Sequence, residues 1–157
     1  MRRFGHSPEP GRRYRLRPGS YAILARGQEM LVTHQMEPQP DFHLPGGGID
    51  PGENPTQALF RECLEETGWR ISRPVRIGAF RRFTYMPEYD LWAEKVCTLY
   101  LARPVRRLGP PLEEGHTAVW MQATVAAEVL ADSGDQHFVR HVFGLGSTSI
   151  NTPLRSS

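Results

Sequence analysis

A chain of 157 residues is long enough for one domain with a buried core. Its formal charge of +2 is too small to imply a nucleic-acid or membrane partner by itself. The arginine-bearing N-terminus has no apolar signal-peptide core, no stretch approaches the roughly 18 apolar residues of a membrane span, and Cys63 and Cys97 lack metal-ligand spacing. The expectation is a cytoplasmic protein with two reduced thiols.

Residues 1–18 carry Arg2, Arg3, Arg12, Arg13, Arg15 and Arg17 and read as an exposed basic leader. Residues 19–143 then form the expected domain, and 144–157 a loose tail. Strands over 20–26 and 29–34 are joined by a turn at Gly27-Gln28. Leu44-Pro45-Gly46-Gly47-Gly48 reads as a glycine-rich loop, able to bring backbone close to a ligand. Asn54 can cap a helix, Pro55 suits its first position, and Gly68 can close its last turn, so a helix is predicted over 55–67.

Two longer strands follow, over 75–85 and 92–102, with a turn at Met86-Pro87-Glu88-Tyr89. In the second, Val96, Thr98 and Tyr100 alternate with Cys97, Leu99 and Leu101. Both faces are fairly apolar, as in a strand covered on each side. A Pro- and Gly-rich loop over 104–115 leads to a short strand over 117–121. Thr124 is expected to cap a helix to about Ala131, and Asp132-Ser133-Gly134 to break the chain before a helix over 135–143. The order is that of an α/β fold with helices on both faces of a mixed sheet.

The 55–67 helix carries an anomaly. Leu59, Phe60 and Cys63 form an apolar stripe, while Glu62, Glu65 and Glu66 share a narrow neighbouring face at i, i+3 and i+4. Each like-charge pair costs about 0.2–0.5 kcal/mol. The helix dipole disfavours anions in this last turn by roughly 0.3–1 kcal/mol apiece. Arg61 offsets only part of this. Such a cluster points to a cation, and hard carboxylate oxygens favour Mg²⁺ or Mn²⁺.

The stretch from Gly47 through Glu53, Arg61-Glu62, Glu65-Glu66 and Gly68 to Trp69 resembles the Nudix box, G-x5-E-x7-R-E-U-x-E-E-x-G-U, where U is bulky and apolar. All seven fixed residues are in register; Cys63 and Trp69 stand where aliphatic residues are usual. The resemblance implies an α/β/α sandwich around a central mixed sheet. It also implies metal-dependent hydrolysis of a pyrophosphate bond in a nucleoside diphosphate linked to another moiety. Carried over, Glu62, Glu65 and Glu66 are the metal-binding glutamates, joined by a backbone carbonyl of the glycine-rich segment, for which Gly47 is the best match. Arg61 and Glu53 are the supporting pair, and Arg61, Glu62, Glu65 and Glu66 form the expected catalytic group.

Weaker candidates lie outside the box. Glu113 and Glu114 fall where some family members place an extra glutamate as base, or are ordinary surface acids. Tyr85 falls where some relatives stack a base, or is a strand aromatic in the core. Arg81 and Arg82 point to opposite faces of a strand, so at most one reaches a pocket phosphate. The expected partner is a small nucleotide-type pyrophosphate, with no membrane and no nucleic acid. Oligomeric state stays open, a homodimer included. Two alternatives also stay open: a nucleotide-binding Nudix domain without catalysis, and an RNA 5′-end pyrophosphohydrolase.

Overall fold

Two twelve-residue strands, β2 (Arg15–Arg26) and β8 (Leu91–Ala102), run parallel through the centre of the sheet. In a computed structural model that describes residues 1–146, they are in register from Arg15 opposite Ala93 to Leu24 opposite Ala102. Outward from β8 come β7 (Val75–Met86), antiparallel, and β1 (Arg2–Arg3), parallel to β7. Outward from β2 come β3 (Glu29–Gln35) and β10 (His116–Gln122), both antiparallel to their neighbours. Two three-residue strands, β4 (Asp41–His43) and β5 (Gly46–Gly48), add to β3 and β2. A small second sheet pairs β6 (Trp69–Ile71) with β9 (Pro104–Arg107).

Strand alternation divides the core. Ala22, Leu24, Leu31, Tyr100 and Ala102 face one side, where they pack with Leu59 and Cys63 of α1 (Pro55–Thr67). Ile23, Met30, Val32, Cys97 and Leu99 face the other, against α2 (Ala123–Val129) and α3 (Ser133–Phe143). The result is an α/β/α sandwich around a mixed sheet.

Local chemistry explains the ends of α1. The Asn54 side chain accepts from Gln57 N at 2.8 Å, and the Gln57 side chain accepts from Asn54 N at 2.9 Å, a reciprocal capping box. Gly68 ends the helix at φ 76°, a left-handed conformation suited to glycine, and its N–H donates to Leu64 O. Phe60, expected on the buried stripe, is instead 42% exposed, since Leu59 and Cys63 already fill the contact with the sheet.

Several expectations need correction. The boundary at 18/19 falls inside β2, which pairing with β8 extends back to Arg15. The leader is exposed as expected, but its start is paired to the sheet. Arg2 and Arg3 lie opposite Phe80 and Arg81 of β7, and Phe4 packs edge-on to Phe80 at 5.4 Å. The glycine-rich segment and part of the 104–115 loop are strands. They pair through backbone alone, which side-chain periodicity does not reveal. α2 begins after Gln122, not after a Thr124 cap; Ala123 N donates to Gln28 O at 2.8 Å instead. Asp132 caps α3 through Gly134 N at 2.8 Å. Gly144 closes α3 and Leu145 packs back on the core, while the rest of the expected loose tail, 147–157, lies outside the described residues. Among the described residues no helix is long and apolar enough to cross a membrane.

The docking of the N-terminus has a measurable consequence. Phe4→Ala should lower stability by roughly 1–3 kcal/mol, less than the 3–5 of a fully buried Phe because Phe4 is half-buried. That corresponds to a melting temperature lower by several degrees in a chain of this size. An unchanged melting curve would mean that residues 1–4 do not pack on the sheet.

Candidate active site

Arg61 organises the entrance to α1. Its Nε and one terminal nitrogen donate to the two carboxylate oxygens of Glu53 at 2.7 and 2.9 Å. The same terminal nitrogen reaches Gly48 O at 3.1 Å, and the other donates to Glu62 Oε1 at 2.9 Å. A longer contact of 3.4 Å goes to Glu65. The planar guanidinium fits this bidentate grip, which a lysine could not reproduce. Hydrogen bonds from Arg61, and then from the Asp50 N–H, hold the Glu53 carboxyl down at about 2. Arg61 thus fixes the loop after β5 to the helix and orients Glu62.

Glu62 lies against Gly47. A Cβ there would stand 2.6–2.8 Å from the Glu62 carboxylate, so a side chain at 47 would push that carboxylate out of its present position. Next to it, Glu66 is 6% exposed. Burial, and after it the Glu62 charge, raise its pKa well above the usual carboxylate range. A buried carboxyl beside another carboxylate is an unfavourable arrangement that a cation would relieve.

The loop after β9 completes the cluster. Leu112 and Glu113 donate their N–H groups to Glu65 O at 2.8 and 2.9 Å, and Leu108 donates to Gly68 O at 2.8 Å. Carbonyls at the end of α1 thereby find partners, and the loop is held over the last turn. Donor atoms of Glu62, Glu65 and Glu113 lie within 4.8 Å of one another, as do those of Glu66, Glu113 and His116. Glu113 therefore joins the box residues. Glu114 does not; its carbonyl faces His116 Nδ1 at 3.5 Å. His116 is the residue that sequence reasoning passed over. A lone histidine at a strand start carries no signal until the loop folds back.

Glu62, Glu66, Glu113 and His116 line one side of a cleft of about 430 Å³. Its other end is polar and holds Arg82, Lys95, Asp132, Asp135 and His43. Arg82 Nε lies 2.7 Å from Asp132 Oδ2, out of line for a true hydrogen bond, so the buried N–H has no aligned acceptor among the described residues. Arg81 is not in the cleft; it sits 3.7 Å from Glu94. Tyr85 fits neither of its expected places. It is 40% exposed, hydrogen-bonds Asp90, and packs on Trp92 in a separate hollow beside the N-terminal segment. The aromatic rings of the cleft belong to Tyr21 and Tyr89. Cys97 is on its floor, but burial pushes the thiol up to about 12, so it is no nucleophile.

An α/β/α sandwich with clustered carboxylates at one side of a polar cleft defines an α/β protein with a candidate cation site. The chain belongs to the Nudix family: the family's NUDIX domain model matches residues 15–142. Members of this family generally use a divalent metal. The fold is similar to that of a MutT NUDIX hydrolase from Burkholderia pseudomallei, with a TM-score of 0.65 at 20% identity over 85% of this chain and 99% of that one. It is equally similar to a MutT protein from Bacillus halodurans, with a TM-score of 0.65 at 20% identity over 81% and 82%. In sequence, the chain is 32% identical over 74 residues to a Bacillus subtilis protein named "Putative 8-oxo-dGTP diphosphatase", covering 47% of this chain and 50% of that protein. It is 36% identical over 66 residues to an RNA pyrophosphohydrolase of Pectobacterium atrosepticum, covering 42% and 37%. The matches thus span half or less of these relatives' lengths.

The deep end of the cleft carries a pH signature. Burial, then the neighbouring Asp132, raises the Asp135 pKa well above its ordinary value. A raised carboxyl pKa means that the folded state binds the proton more tightly than the unfolded one. Stability therefore falls as pH rises from about 3.9, the unfolded value, toward the folded pKa. Asp135→Asn removes this penalty. Its melting temperature relative to the parent should be higher at pH 7 than at pH 4, and a pH-independent difference would refute the assignment.

Proposed function

We propose that this protein is a pyrophosphohydrolase acting on a nucleoside diphosphate linked to another moiety. Water attacks one phosphorus of the pyrophosphate, the bridging P–O bond breaks, and two phosphate-bearing products leave. The observation that carries the reading is the convergence of Glu62, Glu65, Glu66 and Glu113 beside one polar cleft. Hard oxygen donors in that number fit Mg²⁺ or Mn²⁺, with Glu62, Glu65 and Glu66 as the holding residues and the Gly47 carbonyl as the backbone candidate. Bound there, a divalent cation would neutralise charge on phosphate oxygens and lower the pKa of the attacking water.

The chain's own residues supply the rest. Arg61 and Glu53 keep Glu62 turned toward the cleft. Glu113, from the docked loop, is the proposed base that takes the proton of the attacking water, and it reaches the cluster without belonging to the helix. Of the two adjacent arginines, Arg82 lines the cleft and is the proposed substrate contact. No protein nucleophile is required. A purely binding role is disfavoured because every box glutamate is present, and Glu62, Glu65 and Glu66 gather with Glu113 beside the cleft.

Glu65→Gln and Glu66→Gln should each reduce kcat on the order of a hundredfold or more while the protein stays folded. Metal-free, either variant should be at least as stable as the parent, since one carboxylate leaves the cluster. Saturating the parent with Mg²⁺ or Mn²⁺ at about 100 Kd should add ~2.7 kcal/mol, seen as a higher melting temperature than in EDTA. The assay is a screen of pyrophosphate compounds, 5′-triphosphorylated RNA included, with products identified by mass. Near-parental turnover in both variants at saturating metal would sink the reading.

A further inference from the structure

Three cations form a transverse row on the sheet face that floors the cleft. In the strand registers Arg17 of β2 lies opposite Lys95 of β8, and Lys95 lies opposite Arg82 of β7. All three line the cleft. Like charges directly opposite on neighbouring strands are destabilising, so such a row needs counter-ions. Among the described residues only Arg82 has one, Asp132 at 2.7 Å. Among the described residues no carboxylate comes within 4.0 Å of a charged nitrogen of Arg17 or Lys95. Their partners are aromatic faces: Arg17 stands 4.7 Å from the centre of the Tyr89 ring, and Lys95 Nζ 6.0 Å from that of Tyr21.

We propose that Arg17 and Lys95 form a second anion site, which takes a phosphoryl group of the substrate other than the diphosphate that is cleaved. The favoured substrate is therefore one with at least one phosphate beyond the scissile pair. The assignment of that pair rests on the pyrophosphohydrolase reading; the anion site itself does not. The chain's own acids in the cleft do not remove the need for a ligand. Asp132 is taken by Arg82, and burial raises the Asp135 pKa, which weakens it as a counter-charge; neither carboxylate lies within ion-pair distance of Lys95. Glu88, also on the lining, makes no ion pair among the described residues and is exposed. Burial likewise pushes the Lys95 amine below its ordinary pKa, the mark of a charge lacking its counter-ion. A phosphoryl oxygen would supply both the counter-charge and the hydrogen-bond acceptors.

The test uses inorganic pyrophosphate as probe on the full chain in EDTA, followed by calorimetry. Without metal the glutamate cluster repels the anion, so binding reports the cation row. The parent should bind, and Lys95→Met and Arg17→Gln should each raise Kd about tenfold or more. Arg17→Lys, which keeps the charge, should keep most of the affinity. With Mg²⁺ present, Lys95→Met should raise KM more for a substrate with the extra phosphate than for one without, at little change in kcat. If Lys95→Met unfolds, Arg17→Gln at the half-buried rim decides alone. Absence of pyrophosphate binding by the parent, or equal Kd in parent and Arg17→Gln, overturns the proposal. Pyrophosphate binding in EDTA, together with no hydrolysis of any screened compound in Mg²⁺ or Mn²⁺, would support the anion site and count against the pyrophosphohydrolase reading alone.

Discussion

Four carboxylates meet around the last turn of α1, and much of the surrounding structure answers the cost of that meeting. Glu62, Glu65 and Glu66 repel one another and oppose the helix dipole, and Glu113 is added from a loop. One arginine, Arg61, reaches Glu53, Glu62 and Glu65 together, but a single positive charge does not balance them. The Gly47 backbone passes close enough to Glu62 that a side chain there would collide with it. Loop N–H groups cap the Glu65 and Gly68 carbonyls at the helix end. These contacts fix an electrostatically unfavourable geometry in place, which is the expected design of a site completed by a cation.

The sheet supplies the opposite charge a short distance away. Because β2 and β8 are parallel and long, residues of the same parity on both strands line one face. Toward the ends of both strands that face is core, with Ile23 and Leu99. Toward the starts of both strands it is cleft, with Arg17 and Lys95. A single strand pairing thus builds both the apolar packing under α2 and α3 and the cationic floor opposite the acidic cluster. A polyphosphate spanning the cleft would meet both.

How much of this was legible in the sequence depended on the kind of signal. The bounds of α1 were readable because Asn54, Pro55 and Gly68 each act within a few residues of themselves. The covered strand at 92–102 was readable because Cys97, Leu99 and Tyr100 leave neither face polar. Strands β5, β6 and β9 are too short for a period of two to register, and β5 is all glycine. The leader is exposed, as its arginines imply, but its docking was not readable, because that depends on one aromatic, Phe4, meeting Phe80 some seventy-six positions later. At the site, the spacing of the box brought its own glutamates together on the page. The choice between Glu113 and Glu114, the presence of His116, and the displacement of Tyr85 by Tyr89 all depend on how loops fold back. Such tertiary facts leave no local trace.

The central claim is that the glutamate cluster is a cation site. Its most direct test is a crystal of this chain grown with Mn²⁺ and measured for anomalous scattering. The account predicts a peak within coordination distance of carboxylate oxygens of Glu62 and Glu66, abolished in crystals of Glu66→Gln. A well-ordered α1 with Glu62 and Glu66 in place, saturating Mn²⁺ in the drop, and no anomalous peak between them would contradict it.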